Sequence, residues 1–469
     1  MRQSVWAKFI TSSCLVCVGC SSVDVYGAFV SVQAKDAGAP RSDADAAASA
    51  PRISADAAIP GLTPHLSNRT TAPVIPSQPS AAGVTSRPAS DAGTDTSVSE
   101  PTQASGVLCL PGLGEPTACE SARKMAFGRA ICSCGDIIGT GVLSTQVVPA
   151  AVGSAGIATD SSLTLRIGRR GAVEDIAGEI AGPIDIGGLG PSAISGTDAS
   201  IRGDLSLAGE LTFAGNIHVA GSVYSRRMPR GSGALQIDGD LNYADEGLPS
   251  ALSGNVQVSG DMREADYAIE PPCACSTAYV AELLGAIAAA ESSNDNARSR
   301  LDRDAMSNLT AARGFELGCG RYYFRSVSSL SSIDWHVTGH VVVVVASDFV
   351  LRGELKVALD PGAELDVLIG GNLLLSSSAR FGDPERPAAS RIFVRGAVDL
   401  ATAEDATPGA ATSGAAFVGN LYAPGATLQF APHSEVFGSL FVMQLRILQS
   451  LLVHYDPAVV SELGAACEK

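Results

Sequence analysis

A six-residue unit recurs along this 469-residue chain: a glycine, a small or polar residue, then two apolar residues separated by one other residue. Residues 203 to 224 read Gly-Asp-Leu-Ser-Leu-Ala, Gly-Glu-Leu-Thr-Phe-Ala, Gly-Asn-Ile-His-Val-Ala, Gly-Ser-Val-Tyr, with glycines at 203, 209, 215 and 221. The unit returns at Gly239–Ala244 and Gly254–Ser259, and in the second half at Gly353–Ala358, Gly371–Ser376, Gly396–Ala401 and Gly438–Met443. Apolar residues two apart face one side of a strand, the residue between them faces the other, and the glycine lets the chain turn. Each unit is then one short side of a coil, and three sides make a turn of 18 residues; Leu355 and Leu373, and Val357 and Leu375, have that separation and are expected to stack. One coil cannot close its own core, so stacking at about 4.8 Å supplies both the hydrogen-bond ladder and the interior. The expected fold is all-β dominated: a right-handed parallel β-helix, or solenoid. An antiparallel sandwich of short strands is the alternative, disfavoured because hairpin signals such as Asn-Gly are missing.

The N-terminus addresses the chain to an envelope. Arg2 and Lys8 flank an apolar run, Phe9 to Gly19, which ends at Cys20 before Ser21 and Ser22. Charge, apolar run, small residue and break form a secretion signal. Val18, Gly19 and Cys20 resemble a lipoprotein lipobox, with Cys17 in the place usually held by Leu. Cys20 is therefore the expected lipid attachment residue, with an ordinary signal peptide or an uncleaved anchor as alternatives. Two or more acyl chains give a stable anchor, each buried methylene contributing about 0.8 kcal/mol. No later segment is long and apolar enough to span a bilayer, Val341 to Ala346 being far too short. From about Val32 to Ser105 the chain is Ala, Ser, Pro, Asp, Thr and Gly with few large apolar residues, and reads as a disordered tether.

With aromatic residues at 5%, charged residues at 17% and 50 glycines, the chain must bury many small and branched side chains, which favours repetitive β structure. A net charge of −16 with no basic stripe argues against nucleic acid as a partner. Of the eleven cysteines, Cys14 and Cys17 leave with the signal, and Cys20 carries lipid. Cys109, Cys119, Cys132, Cys134, Cys273, Cys275, Cys319 and Cys467 remain as disulfide candidates in an oxidising compartment, and sequence does not choose among their 105 pairings. The Cys132-Ser-Cys134 and Cys273-Ala-Cys275 spacing is too tight for an ordinary zinc site. No metal and no cofactor is expected.

We divide the chain into a signal peptide (1–19), a lipidated linker (20–106), a Cys-rich N-terminal cap (107–145), a first part of the β-helix (146–272), a helical insert (273–325), a second part (326–456) and a tail (457–469). In the insert, Tyr279, Leu283, Leu284, Ile287 and Ala288 recur at helical spacing behind Thr277, which predicts a helix near 276–292, with a second short helix over Asp302 to Arg313. Covering an open end or face of the solenoid is the first expectation for the insert, and a ligand lid the second.

Gly419-Asn-Leu-Tyr-Ala-Pro424, Val436-Phe-Gly-Ser-Leu-Phe441, Val453-His-Tyr-Asp456, Cys319-Gly-Arg-Tyr-Tyr-Phe324 and Asn294-Asp-Asn296 resemble a C-terminal β-helical domain of myxobacterial-type lipoproteins that is shared with PilX-like, pilus-associated proteins. The resemblance covers about residues 270 to 460. It implies an envelope location and a β-helix, and brings no catalytic residues. The hexads also resemble bactofilins, which polymerise end to end; the export signal, cysteines and helical insert depart from them.

Catalytic patterns are absent. The outward residues of the best repeat, Asp204, Glu210, Asn216 and His218, are a mixed polar set. His336 and His340 are expected to share a strand face without a third ligand, and His433 and His454 to serve packing or turns. Ser192 stands where a calcium β-roll would place Asp, and Arg202-Gly203-Asp204 is a tripeptide met by chance. The expected protein is non-catalytic and lipid-anchored in the bacterial cell envelope, at the outer membrane with either its periplasmic or its surface face as the site of display, and presents a structural or adhesive polar surface to polysaccharide, matrix or an envelope protein. The alternatives are a self-associating scaffold and a polysaccharide-active enzyme using acids such as Asp360, Glu364 and Asp366 beside a basic residue.

Overall fold

Consecutive hexads place their apolar pairs on successive sides of a three-sided coil. The computed structural model describes residues 124–461 apart from 125, 149–150, 169–177, 245–254, 266–267, 274, 277, 378, 401–415 and 431–432. Within it, Leu205–Leu207 lies on one side (A), residues 211–213 on the next (B), residues 217–219 on the third (C), and Val223–Ser225 returns to side A, pairing in parallel with Leu205–Leu207. Every strand pairing among the described residues is parallel, so the antiparallel sandwich is excluded.

The glycine of the hexad is required by close approach. At the corner leading to side A, Asp204 Oδ1 accepts from Ser222 N at 2.8 Å, Ser222 Oγ from Asp240 N at 3.1 Å, and Asp240 Oδ1 from Asp261 N at 2.9 Å. The small polar residue thus satisfies the backbone of the next coil, and a Cβ on Gly239 would stand 2.6 Å from Ser222 Oγ and 2.7 Å from Gly221 O. Side A then stacks Ile131, Ile157, Ile184, Leu205, Val223 and Leu241 in one inward column.

The chain does not traverse this stack from end to end. On side A the spatial order is 320–324, 341–345, 364–369, 390–394, 420–423, 440–442, 131–133, 157–159, 184–186, 205–207, 223–225, 241–243 and 262–264. Residues 131–264 (the upper block) start in the middle and run outward to one end. Residues 313–455 (the lower block) start at the opposite end and run inward. The two meet at a seam, where Ile131, Cys132 and Ser133 pair with Leu440, Phe441 and Val442, and residues 142–147 pair with 450–455. Residues 131–145, expected to belong to an N-terminal cap, therefore form with 146–147 an interior rung that has neighbours on both sides.

Residues 265–312 return from the upper end to the lower one, past twelve inter-strand steps of about 4.8 Å, or roughly 58 Å. Two disulfides, Cys132–Cys273 and Cys134–Cys275, fasten this strap to the first rung. Cys319 is also disulfide-bonded, and Cys20, Cys109, Cys119 and Cys467 lie outside the described residues. The strap then forms the helix Ala278–Ser292, close to the sequence expectation. Ser276 Oγ accepts from Ala278 N at its start, and Asn294 Nδ2 donates to Ala290 O and Glu291 O at its end. Thr277, the expected cap, lies outside the described residues.

Two expectations need correcting. Residues 302–313 are not helical: Arg300 and Asn308 adopt positive φ of 54° and 56°, and Arg313–Phe324 is the first strand of the lower block. Leu355 does not stack on Leu373: Leu355 pairs with Ile333 and Ala379 on side C, and Leu373 with Phe349 and Val398 on side B. The coils through these residues are longer than 18 residues because their corners carry turns, at 360–363 and over 381–389 with the 3-10 helix Pro387–Ala389.

Because residue 455 ends side C where residue 131 begins side A, a circular permutant running 313–461, then a short Gly/Ser linker, then 124–312 is expected to keep the fold. Far-ultraviolet circular dichroism and a single melting transition like the wild type's would bear this out; an uncooperative, strand-poor product would contradict the seam.

Candidate functional site

The strap helix covers side A of the lower block, and along the upper block the same side is half-buried from Asp185 to Asn242 and exposed at Arg263. The middle outward column of side A runs Tyr323, Val344, Leu368, Phe393, Tyr422, Phe441, Cys132 and Ala158, then changes to Asp185, Ser206, Tyr224, Asn242 and Arg263. The apolar part is covered by the strap helix, whose buried residues Tyr279, Leu283, Ala286, Ile287 and Ala290 lie on one face at helical spacing. Tyr279 stacks edge-on against Tyr422 at 4.6 Å and donates through Oη to Val394 O and Tyr422 O at 3.3 Å. Burial pushes the Tyr279 hydroxyl well above its ordinary pKa, so it remains a donor.

Beside that column lies a buried ionic cluster. Arg391 Nε donates to Asp366 Oδ1 at 2.6 Å, and Nη2 to Glu364 Oε2 at 2.6 Å and to Asp366 Oδ2 at 3.2 Å. His340 Nε2 is 2.8 Å from Asp366 Oδ2. Arg391 is 1% exposed and Asp366 2%, and Arg391 Nη1 has no hydrogen-bond partner. Burial pushes the Asp366 carboxyl up, but the Arg391 guanidinium and the His340 bond outweigh it and hold the group well below the usual carboxylate range. For Arg391, burial is likewise outweighed by Asp366 and Glu364, which raise its pKa above the ordinary value.

Of the acids singled out in the sequence, Glu364 and Asp366 meet here, beside a basic residue that sequence reading missed. They form a buried cluster with both carboxylates bonded to one guanidinium. Asp360 lies elsewhere, its Oδ1 3.0 Å from His336 Nε2, while Glu316 Oε2 is 2.6 Å from His336 Nδ1. Bonds from Asp360 and then Glu316 raise the His336 pKa above its ordinary value. His336 and His340 do not share a face: Gly339, at a φ of 109°, turns the strand from side C to side A between them. Among the described residues no group of three or more His, Cys, Asp and Glu side chains is placed to hold a metal.

The remaining candidates take part in bonds between coils or rungs. Asn216 Nδ2 donates to Asp198 Oδ1 at 3.1 Å, His218 pairs with Asp238 at 2.9 Å, and Glu210 pairs with Arg227. Arg202 pairs with Glu179 while Asp204 caps the next coil, so the Arg-Gly-Asp tripeptide is spent on the fold. Ser192 Oγ accepts from Leu163 N at 3.2 Å. His433 bonds Ser450, and His454 spans the seam between Glu435 at 2.7 Å and Gln146 at 2.6 Å, stacked on Phe437 at 4.1 Å. A groove of about 780 Å³ lies on side C beside the seam, lined by residues 144–147, 151–153 and 450–452 with Gly168, Glu179 and Arg202. Its polar side chains serve the fold: Thr145 Oγ1 donates to Ala155 O, Ser144 Oγ to Gly168 O, and Arg202 pairs with Glu179.

A family model described as a domain of unknown function, DUF7305, matches residues 277–462. The chain is similar to that family from the strap helix through the lower block up to the seam. No curated protein and no solved structure matches the chain.

Replacing Arg391 by Met is expected to destabilise the fold by about 3–5 kcal/mol, because two carboxylates stay buried without their cation; urea unfolding would read it, and Glu364→Gln with Asp366→Asn in the same chain should restore much of the loss. Asp366 has a depressed folded pKa, so its contribution is present above the unfolded value near 3.9 and is lost as pH falls below it. Melting temperature should therefore fall below about pH 4, and Asp366→Asn should flatten that slope.

Proposed function

We propose that this chain is a non-catalytic envelope protein, anchored by lipid on Cys20, whose right-handed parallel β-helix presents its open upper faces to polysaccharide, matrix or a neighbouring protein. The observation that carries the reading is the change in the outward column of side A from apolar and buried to polar and partly exposed at Asp185. Beyond that point the floor is Ser206, Tyr224, Asn242 and Arg263, one residue per coil, and side C shows Ser200, His218, Gln236 and Gln257 in the same way. Regular spacing of hydrogen-bonding side chains at about 4.8 Å suits an extended partner held by many weak contacts. The alternative of a polysaccharide-active enzyme has less support, since glycoside hydrolysis needs two carboxyl groups in an open cleft, and Glu364 and Asp366 are both buried against Arg391.

The scaffold alternative is disfavoured by the ends. The lower end carries residues 294–309, with Asp295 N donating to Arg321 O, Ser328 N to Met306 O and Leu309 N to Ser328 O. The upper terminal strand Met262–Glu264 bears Arg263 and Glu264 next to Asp261, charges of the kind that keep strand edges apart. Head-to-tail growth needs both ends open.

Two arms test the proposal on the full chain expressed in a Gram-negative host. Cys20→Ser should move the protein from the membrane pellet to the soluble fraction. Co-sedimentation with purified envelope polysaccharide should retain the wild type and lose the Ser206→Ala/Tyr224→Ala/Asn242→Ala variant. Release of new reducing ends from that polysaccharide would replace adhesion by catalysis, and filaments at high protein concentration would replace it by scaffolding.

A further inference from the structure

We propose that the upper end of the stack docks on the upper end of a second copy, so that two chains pair head to head through antiparallel Met262–Glu264 strands. The pairing stands on the geometry of that end alone. Only its consequence for partner binding rests on the reading above.

At the last coil the interior comes to the surface. Leu235, Ile237 and Leu241 are fully buried, and the residues stacked on them are not: Val256 and Val258 are half-buried, and Met262 is 47% exposed. One edge of Met262–Glu264 pairs with Leu241–Tyr243, where Leu241 N donates to Asp261 O and Ala265 N to Tyr243 O. No strand among the described residues lies along the other edge. Asp261 is also the last member of the corner ladder that runs through Asp204, Ser222 and Asp240. Its side chain is 69% exposed and that of Arg263 58%, and Arg263 Nη2 donates to Asp261 Oδ2 at 2.5 Å.

These charges turn away an unmatched strand, and they also select a matched one. A second copy laid end to end brings its last strand in antiparallel, and inward residues must meet inward residues, which leaves few registers. With Met262 opposite the second copy's Met262, Asp261 of each chain stands opposite Arg263 of the other, and the exposed apolar side chains cover one another. Glu264 then faces the second copy's Gly260, which has no side chain to crowd it. A shift of two residues would set Arg263 against Arg263 and Met262 against Glu264, and like charges directly opposite are destabilising. The edge is therefore self-complementary in one register. Residues 294–309 are bonded across the lower end, so assembly stops at two copies.

A two-fold axis normal to side A keeps both side A faces on the same flank. The outward columns from Asp185 to Arg263 of the two chains then form one polar face of double length, and an extended partner is engaged twice.

The test uses the full chain carrying Cys20→Ser, with mass read by sedimentation velocity over a range of protein concentrations. The mass should rise to that of two copies. Asp261→Arg and Arg263→Asp should each weaken pairing by roughly tenfold, because each sets like charges across the junction twice. Mixed in equal amounts, the two single variants should pair with one another, since each supplies the charge that the other lacks, and the variant carrying both substitutions should pair like the parent. Met262→Cys, with Cα atoms about 5.5 Å apart across the junction, should form a disulfide between copies under mild oxidation, and Gln257→Cys should not. A parent chain that stays monomeric throughout its soluble range would overturn the proposal and leave the end to a strand of another protein. Pairing that ignores the charge variants, or a cross-link through Gln257→Cys in place of Met262→Cys, would overturn it as well. These readings involve neither membrane nor polysaccharide, so they can fail while the anchoring and binding results stand, and the reverse.

Discussion

The pairing of the first rung with the last is the constraint on which the rest of this structure depends. Ile131 on Leu440 and the run of 142–147 on 450–455 make two separate lengths of chain into one continuous stack. A parallel strand must have neighbours on both edges or show unpaired backbone groups to other chains. By meeting in the middle, the two blocks each cover one edge of the other, so only the two outer ends need separate treatment. The chain meets that need with residues 294–309 at one end and with edge charges at the other. The connection between the ends is also forced: it must run the length of the stack, and there it doubles as a cover for side A.

That cover explains where the polar residues go. Under the strap helix the outward column can be apolar, and Phe393, Tyr422 and Phe441 pack with Tyr279 and Phe127. Charges that remain there must be matched, and Arg391 is matched by Glu364 and Asp366. Above the seam no helix among the described residues lies over the column, and Asp185, which pairs with Arg129, begins a polar run. Covered and open faces are thus two outcomes of one connection. The disulfides sit at the boundary between them. A single bridge over 141 residues would remove about 5 kcal/mol of chain entropy from the unfolded state in the loop-closure model. The second, two residues away at both ends, closes almost no further loop, so its effect is on how firmly strap and rung are held in register.

The parallel coil was legible in the hexads because their spacing and their glycines are local consequences of stacking: 205, 211, 217 and 223 do fall on sides A, B, C and A. The strap helix was legible from periodicity alone. Leu355 and Leu373 misled because an 18-residue interval marks a full coil only where every corner is short, and the lower block has long corners. His336 and His340 misled because Gly339 turns a strand that reads as continuous. The cysteine pairing and the Arg391 cluster were not legible at all. Each needs the register between residues 25 to 141 apart, which depends on the seam, and no local pattern announces that a chain starts its fold in the middle.

The stretch similar to the DUF7305 family, 277–462, begins at the strap helix and ends just past the last rung. It includes the apolar column from Tyr323 to Phe441 and its cover, and leaves out all four cysteines of the two bridges. As a folding unit it is nearly sufficient: the helix seals side A, residues 294–309 seal one end, and the ionic cluster is internal to it. What it lacks is a neighbour for 440–455, whose edge in this chain is paired by residues 131–147. The upper block meets that requirement by continuing the same ladders outward. Its hexads are therefore shaped twice by the lower block, once in register and once in the direction of growth, and the open faces they present are the part of the stack that this division leaves available for a partner.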